Sequence, residues 1–225
     1  MYVSMKGMLQ RANEGNYAVM AINCFNIETA RAVINAAQEL RAPIDASRYD
    51  LEGNIRMTRE IVDIAKQFDA SVEGEIGCMG ASAGDNFTNE DMKTNPQQAL
   101  RFAQETGVDA LAISFGSSHG NYPKGYVPEF DFERLKEIKA LTNMPLVLHG
   151  GSGSGDQNIE NCVQYGINKI NVGCDFMNAN VASIKQQLAK DPDINYWVMM
   201  HQVEKDSQEI IKHYIKLSKS QGKSL

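Results

Sequence analysis

The chain has 225 residues, of which 43% are hydrophobic and 22% charged, and its formal net charge is −6 at pH 7. These values are typical of a globular α/β protein, and the acidic balance argues against a nucleic-acid partner, which needs clustered Lys and Arg. The sequence shows neither a membrane span nor an apolar leader at its start, so we expect a cytoplasmic protein without membrane contact. Scattered cysteines without Cys-x-x-Cys spacing predict free thiols: Cys24, Cys78, Cys162 and Cys174.

Apolar runs of strand length alternate with segments of helical period along the chain. We predict strands at 18–22, 71–76, 110–113, 145–148 and 169–172, with a further short run at 43–47. Helices are predicted at 27–40, 51–68, 96–104, 132–141 and 156–165, and again from 175 to a polar tail at 218–225. The polar, glycine-containing stretch 77–95 is too long for a simple connector and predicts a functional loop. This order predicts one domain, residues 1–225, built on a parallel sheet covered by helices.

The sheet could be a closed barrel or an open doubly wound sheet. No Gly-x-Gly-x-x-Gly motif opens the first helix, so the marker of a dinucleotide-binding open sheet is missing. Polar residues instead follow the carboxyl ends of several strands, where the active sites of (β/α)8 barrels are assembled. We therefore predict an α/β protein with a (β/α)8 TIM barrel.

Two histidines stand at equivalent places in this pattern. His119 and His149 each follow an apolar strand and precede a glycine. Because neutral imidazoles bind Zn²⁺ and two strand ends supply one each, we predict that both are metal ligands. Glu75, at another strand end, is either a further ligand or an ion-paired carboxylate of the barrel. His201 and His213 belong to polar helices and are predicted to be solvated.

The residues after His149 predict an anion site. Consecutive glycines allow the backbone to approach a phosphate, and exposed N–H groups form a nest for it. Barrels commonly bind phosphate at the loops after their last two strands. Here those loops contain Gly150, Gly151, Ser152, Gly173 and Cys174. The alternative is a glycine-rich turn without a ligand.

The segments 21–26, 72–77, 116–122, 145–153, 169–172 and 209–222 together resemble the class II ketose-bisphosphate aldolases, the fructose- or tagatose-bisphosphate type. The resemblance covers nearly the whole chain. It implies a zinc-dependent aldolase, a lyase that cleaves or forms a phosphorylated ketose with dihydroxyacetone phosphate as one product. It also implies a homo-oligomer, either a dimer or a tetramer.

The resemblance assigns roles to individual residues. His119 and His149 match two zinc-ligand histidines, and Glu75 matches a carboxylate near the metal. Gly120, Gly150 and Ser152 match a pocket for phosphate and a monovalent cation, and Asn171 matches a substrate-binding asparagine.

One part of the family pattern is missing. The third zinc histidine of the family lies in an Asp-His-Gly motif, and an aspartate of the same region acts as acid and base, but no Asp-His pair occurs here. The pattern jumps at the junction of Ile44 and Asp45, where about one to two βα units are absent. Two explanations stay open: an internal deletion, or natural residues that this sequence omits. A barrel that lost two strands would expose its edges, which favours the second.

Other departures concern the substrate. Gly173 and Cys174 replace an acidic or amide residue and a hydroxyl residue, and Met177 stands where relatives often carry a basic residue for a second phosphate. These differences leave open an aldolase for a different sugar phosphate. The missing Asp-His pair leaves open a second alternative, a non-catalytic barrel that stabilises a partner.

Overall fold

The computed structural model describes residues 5–22, 50–67, 70–77, 93–118, 120, 122–123 and 125–223. Helices and strands alternate through these ranges, in agreement with the predicted order. In chain order they are α1 (Met5–Glu14), β1 (Val19–Ile22), α2 (Leu51–Lys66), β2 (Glu73–Ile76), α3 (Pro96–Thr106), β3 (Ala110–Ile113), α4 (Phe132–Thr142), β4 (Leu146–Leu148), α5 (Asp156–Gln164), β5 (Ile167–Val172), α6 (Cys174–Lys190) and α7 (Tyr196–Leu217).

The described strands form one parallel sheet in the order β1-β5-β4-β3-β2. One helix lies between each pair of consecutive strands from β2 to β5. The carboxyl ends of these strands therefore all lie along one rim. The predicted strands at 18–22, 71–76, 110–113, 145–148 and 169–172 are confirmed to within two residues at each end. The predicted helix at 27–40, the run at 43–47 and the junction of residues 44 and 45 lie outside the described residues.

Local capping groups explain where the helices begin and end. The Asp50 carboxylate accepts the N–H of Gly53 at 2.8 Å at the start of α2. Asn95 caps α3 directly before Pro96, and Gly107 ends α3 in a left-handed conformation with φ +69°. A side-chain acceptor at the cap and a glycine at the end satisfy backbone groups that the helix leaves free.

The sheet has two different faces because side chains alternate along a strand. Leu111 and Ile113 of β3 belong to the main core between the sheet and its helices. Ala110 and Ala112 face the other way and pack with Val147 and with the fully buried Leu9 of α1. Burying one leucine contributes about 2 kcal/mol, which holds α1 against this inner face.

The hairpin of α6 and α7 is polar where the two helices meet. The Ser183 hydroxyl donates to Asp206 Oδ2 at 2.6 Å, and the Gln202 amide donates to Asp206 Oδ1 at 2.7 Å. Large apolar side chains instead lie outside, at the start of α7: Tyr196, Trp197 and Val198 are 60%, 76% and 62% exposed. Neither these two helices nor any other helix in the described ranges is long and apolar enough to cross a membrane.

Candidate active site

Charged side chains of β2 and β5 meet on the inner face of the sheet. Glu73 and Glu75 alternate with the buried Gly74 and Ile76, so both carboxylates lie on the same face of β2. The strand register aligns Glu75 with Ala112, Ala112 with Val147, and Val147 with Lys169. Because the two intervening side chains are small, groups from β2 and β5 can touch across them.

His149 follows β4 and lies between the two carboxylates. Its Nε2 is 2.9 Å from Glu73 Oε1, and its Nδ1 is 2.9 Å from Glu75 Oε2. A carboxylate can only accept a hydrogen bond, so the imidazole nitrogen is the donor in each of these two contacts, Nε2 in one and Nδ1 in the other. All three side chains are largely buried, with 14% exposure for His149 and 18% for each glutamate.

Charge pairing outweighs burial for these groups. Burial alone would lower the pKa of His149, but hydrogen bonds to Glu73 and Glu75 raise this pKa to about 9. Burial alone would raise the pKa of Glu73, whereas the contacts with His149 and Lys169 lower it. Without a metal, the contacts of His149 therefore favour the protonated form of its ring at neutral pH.

Lys169 of β5 completes this network. Its Nζ lies 2.9 Å from Glu73 Oε2 and donates to Asn171 Oδ1 at 2.7 Å. The Lys169 side chain is 13% exposed. The predicted substrate-binding asparagine is thus joined to the predicted metal histidine through Lys169 and Glu73.

The loop after β4 and the beginning of α6 are joined by a set of polar contacts. Ser152 Oγ accepts the backbone N–H groups of Gly173 at 3.1 Å and Asp175 at 3.2 Å. The Asp175 carboxylate accepts the N–H of Gly153 at 2.9 Å and the hydroxyl of Tyr214 at 2.5 Å. The two loops predicted to bind phosphate therefore form one structure.

Glycine is required at two places in this structure. Gly150 has φ +69°, and a Cβ there would lie 2.3 Å from the carbonyl oxygen of Ser118. A Cβ on Gly151 would lie 2.7 Å from Ile170 Cγ2. The loop after β4 therefore packs directly against the loop after β3 and against β5, which brings three strand ends together.

The structure describes some of the remaining predicted site residues but not all of them. Cys174 is the first residue of α6 and Gly173 precedes it, beside Ser152. Gly120 has φ +97°, and none of the residues that the structure describes lies within 4 Å of the position of a Cβ. His119 lies outside the described residues. Of the two histidines predicted to be solvated, His201 is 65% exposed, whereas the half-exposed His213 lies 2.9 Å from Asp156 Oδ1.

Some site residues were not singled out in the sequence. Glu73 and Lys169 are each two positions from a predicted site residue, Glu75 and Asn171, on the same strand. Alternation along a strand places such pairs on one face, so this spacing was the available signal. Asp175 lies in the loop after β5 that was predicted to bind phosphate, but its contact with Tyr214 joins positions far apart in the chain and has no local signal.

Thr94 fixes the ends of the long polar stretch between β2 and α3. Its hydroxyl donates to the carbonyl of Ile76 at 2.6 Å and accepts the N–H of Ser114 at 2.8 Å. Its own N–H donates to the carbonyl of Ser114 at 2.7 Å. The chain therefore returns at Thr94 to the carboxyl end of β2, where it also binds the end of β3.

A cavity of about 840 Å³ opens beside the loop after β3. Ser117, Tyr122, Tyr126, Phe130 and Asp131 are among the residues that line it, whereas Glu73, Glu75 and His149 are not. This cavity also has charged side chains, and two of them, Lys93 and Asp131, pair with each other at 3.3 Å. At His149 two carboxylates instead converge on one imidazole, so we place the candidate site there.

The donor set at His149 fits a zinc ion as far as the structure describes it. In that part of the chain, no three His, Cys, Asp or Glu side chains are arranged as a metal site. His149 Nδ1 and Glu75 Oε2 nevertheless lie 2.9 Å apart. Zinc bonds of about 2.0–2.2 Å in a tetrahedron separate two ligands by about 3.3 Å. These two donors could therefore bind one ion after a small movement.

Known proteins share this fold. The family model described as class-II fructose-bisphosphate aldolase matches residues 3–44 and 44–223. Among solved structures, the chain is similar to the YdjI aldolase from Escherichia coli K12, with 26% identity, a TM-score of 0.80 and coverage of 100% of both chains. It is also similar to the fructose-bisphosphate aldolase from Campylobacter jejuni, with 16% identity, a TM-score of 0.74 and coverage of 96% of this chain and 95% of that one.

The chain belongs to the class II fructose-bisphosphate aldolase family. Its fold is the TIM barrel of that family, as predicted, and the five parallel strands are part of the barrel wall. Family and fold are those of a lyase.

Proposed function

We propose that the protein is a zinc-dependent aldolase that cleaves or forms a phosphorylated ketose, with dihydroxyacetone phosphate as one product. The observation that carries this proposal is the position of His149. Its ring is held beside Glu75, and the next residues along the chain form the loop that binds the beginning of α6. A pair of metal donors and a candidate anion site are thus adjacent, as a phosphorylated substrate of a metal enzyme requires.

The anion site would use backbone N–H groups. In the described part of the chain, those of Ser152 and Cys174 donate to no acceptor, and Cys174 opens the 17-residue α6. A helix N-terminus attracts phosphate through its free N–H groups and its dipole. Ser152 supports this site by holding the N–H groups on either side of Cys174.

The metal would be held by His149, Glu75 and His119. When bound, it supplies a Lewis acid that polarises the ketose carbonyl and stabilises negative charge as the carbon–carbon bond breaks. His149 and Glu75 approach each other from the carboxyl end of β4 and from β2, across the intervening β3. Asn171, fixed by Lys169, offers its amide N–H groups to a substrate hydroxyl.

We also propose that natural residues are missing at the junction of Ile44 and Asp45. The two matched stretches of the family model meet at residue 44, which supports this interpretation. Those residues would supply the third zinc histidine and the acid–base aspartate that the resemblance implies. A measured mass above that of 225 residues in the natural protein is the expected result.

One further function is favoured by a specific observation. Because no Asp-His pair occurs in the sequence, the chain could be a barrel that binds a partner without catalysis. Zinc binding without cleavage of any ketose phosphate is what this second function predicts.

The first prediction concerns cleavage and its dependence on metal. The zinc-loaded natural protein should release dihydroxyacetone phosphate from a ketose phosphate, measured by coupled NADH oxidation. A chelator should stop the release, and added Zn²⁺ should restore it. Because Met177 cannot pair with a phosphate, we expect fructose and tagatose 1,6-bisphosphate to have no large advantage over fructose 1-phosphate. Absence of release from all three by the zinc-loaded protein would contradict the proposed activity.

We propose that the chain forms a homo-oligomer through the start of α7, with a second copy of the chain as the partner. Tyr196, Trp197 and Val198 are adjacent and mostly exposed, and aromatic side chains are enriched in the cores of interfaces. Together they would bury on the order of 400 Å², about half of the ~800 Å² that each partner of a stable complex buries.

The second prediction tests this surface. Trp197→Glu should shift the protein to the monomer mass in light scattering after size exclusion, because a charge would be buried at the contact. Ile64→Glu, at a 46% exposed position on α2, is the matched control and should leave the mass unchanged. A monomeric wild type, or an unchanged Trp197→Glu oligomer, would refute the proposed interface.

A further inference from the structure

We propose that Glu73 is a positioning residue for the metal site, which holds His149 through Nε2 so that Nδ1 is the nitrogen presented to the metal. Lys169 in turn holds Glu73. This inference rests on the proposed metal-dependent function and assigns roles to two residues that do not themselves bind the metal.

The height of the two glutamates along β2 decides which nitrogen faces the metal. Glu73 precedes Glu75 by two residues, which is about 7 Å along a strand. Glu75 is therefore nearer the carboxyl-end rim, where barrel active sites lie. Since Nε2 contacts Glu73 and Nδ1 contacts Glu75, the ring directs Nδ1 toward the rim.

The two glutamates differ in their remaining contacts. Both oxygens of Glu73 have charged neighbours: Oε1 is hydrogen-bonded to His149, and Oε2 forms an ion pair with Lys169 without hydrogen-bond geometry. Among the described residues, the side chain of Glu75 contacts only His149, through Oε2. Glu75 can therefore turn to a metal ion without breaking other contacts, whereas Glu73 cannot. These contacts therefore distinguish Glu75, the candidate metal ligand, from Glu73, the candidate positioning residue.

A carboxylate behind a metal-bound histidine fixes the tautomer and the orientation of the ring. Here the Nε2–H donated to Glu73 leaves the Nδ1 lone pair for the metal. The charge of Glu73 is balanced by Lys169 at 2.9 Å, so the support does not depend on a protonated His149. Lys169 also donates to Asn171, which connects the orientation of His149 with β5.

The test compares zinc affinity in four variants, measured by competition with a chromophoric chelator. Glu73→Ala removes the support, and Glu73→Gln keeps an oxygen that can accept from Nε2. Lys169→Met is made alone and together with Glu73→Ala. The pair Glu133 and Lys136 on α4, with Oε1 and Nζ 2.7 Å apart at the surface, provides matched controls as Glu133→Ala and Lys136→Met. Thermal unfolding followed by circular dichroism checks that each variant is folded.

Loss of a carboxylate behind a metal-bound histidine typically weakens metal binding by about 10–100-fold, and we expect this loss for Glu73→Ala. Glu73→Gln should recover most of it. Lys169→Met alone should weaken binding severalfold, but added to Glu73→Ala it should change affinity less than twofold, because Lys169 acts through Glu73. The control variants should bind as the wild type does.

A second measurement needs no variant of Glu73. In the zinc-loaded wild type with ¹⁵N-labelled histidine, long-range ¹H–¹⁵N correlations should show the proton of His149 on Nε2. A proton on Nδ1, or equal zinc affinity in the wild type and the folded Glu73→Ala variant, would overturn this inference. Zinc binding without ketose cleavage would instead remove the proposed activity and leave the role of Glu73 intact.

Discussion

His149→Ala is expected to weaken zinc binding at least about 100-fold and to lower the rate of ketose-phosphate cleavage by about 10³-fold or more. Three protein ligands hold a catalytic zinc, so the loss of one removes a large share of its binding. The variant should also be less stable, since Glu73 and Glu75 would face each other with Lys169 as their nearby cation. Zinc titration, coupled cleavage assays and denaturant unfolding measure the three effects.

A matched control shows whether the expected effects are specific to the histidine at position 149. His201 is 65% exposed and its nearest carboxylate, that of Glu204, is 3.9 Å away, so His201→Ala should change neither zinc affinity nor cleavage. If His149→Ala kept wild-type zinc affinity, the metal could not be bound where we place it.

Gly150→Ala is expected to have the largest effect on stability, with a loss of about 3 kcal/mol or more in the free energy of unfolding. The added Cβ would lie 2.3 Å from Ser118 O and 2.8 Å from Ser118 C, and both of these are backbone atoms. The positive φ of +69° adds about 1 kcal/mol of strain. Relief would require the loops after β3 and β4 to separate, so zinc binding should fall as well.

Gly125→Ala provides the comparison, since Gly125 has φ +81° but no described residue lies within 4 Å of a Cβ there. We expect a loss of only about 1 kcal/mol there. Urea unfolding of both variants without metal isolates the steric part of the effect. Equal losses in the two variants would show that the contact between Gly150 and Ser118 does not matter.

The sequence predicted the repeating strands and helices well because apolar periodicity is a local property. β3 at Ala110–Ile113 and α4 at Phe132–Thr142 agree with the predicted bounds to one residue. β5 begins two residues earlier than predicted, because Asn168 is a polar residue within the strand. Its buried side-chain amide oxygen Oδ1 accepts from Lys139 Nζ at 2.8 Å, a partner on another element.

The helix α1 was not predicted, because it depends on tertiary packing rather than on its local sequence. Gly7 and several polar residues weaken its helical pattern, and Leu9 is buried against Ala110, Ala112 and Val147, which are distant in sequence. Packing of this kind decides many helices whose own sequence is weak.

Within the candidate site, glycine and histidine were easier to predict than charge partners. Gly150 and Ser152 stood out because consecutive glycines beside a histidine are unusual in a strand–helix connection. Lys169 did not, because a lysine in a strand is ordinarily an exposed residue. Its spacing from Asn171 places both side chains on one face, but its contact with Glu73 also needs the register that aligns it with Val147, Ala112 and Glu75.

Thr94 has a consequence for how relatives of this protein could diverge. The stretch that leaves β2 after Ile76 returns to the same point, where one hydroxyl binds the ends of β2 and β3. Insertions or deletions between these anchors would leave the ends of β2 and β3 in place, because Thr94 itself makes the anchoring hydrogen bonds. Recombination could therefore exchange this stretch as a cassette while the barrel stays unchanged.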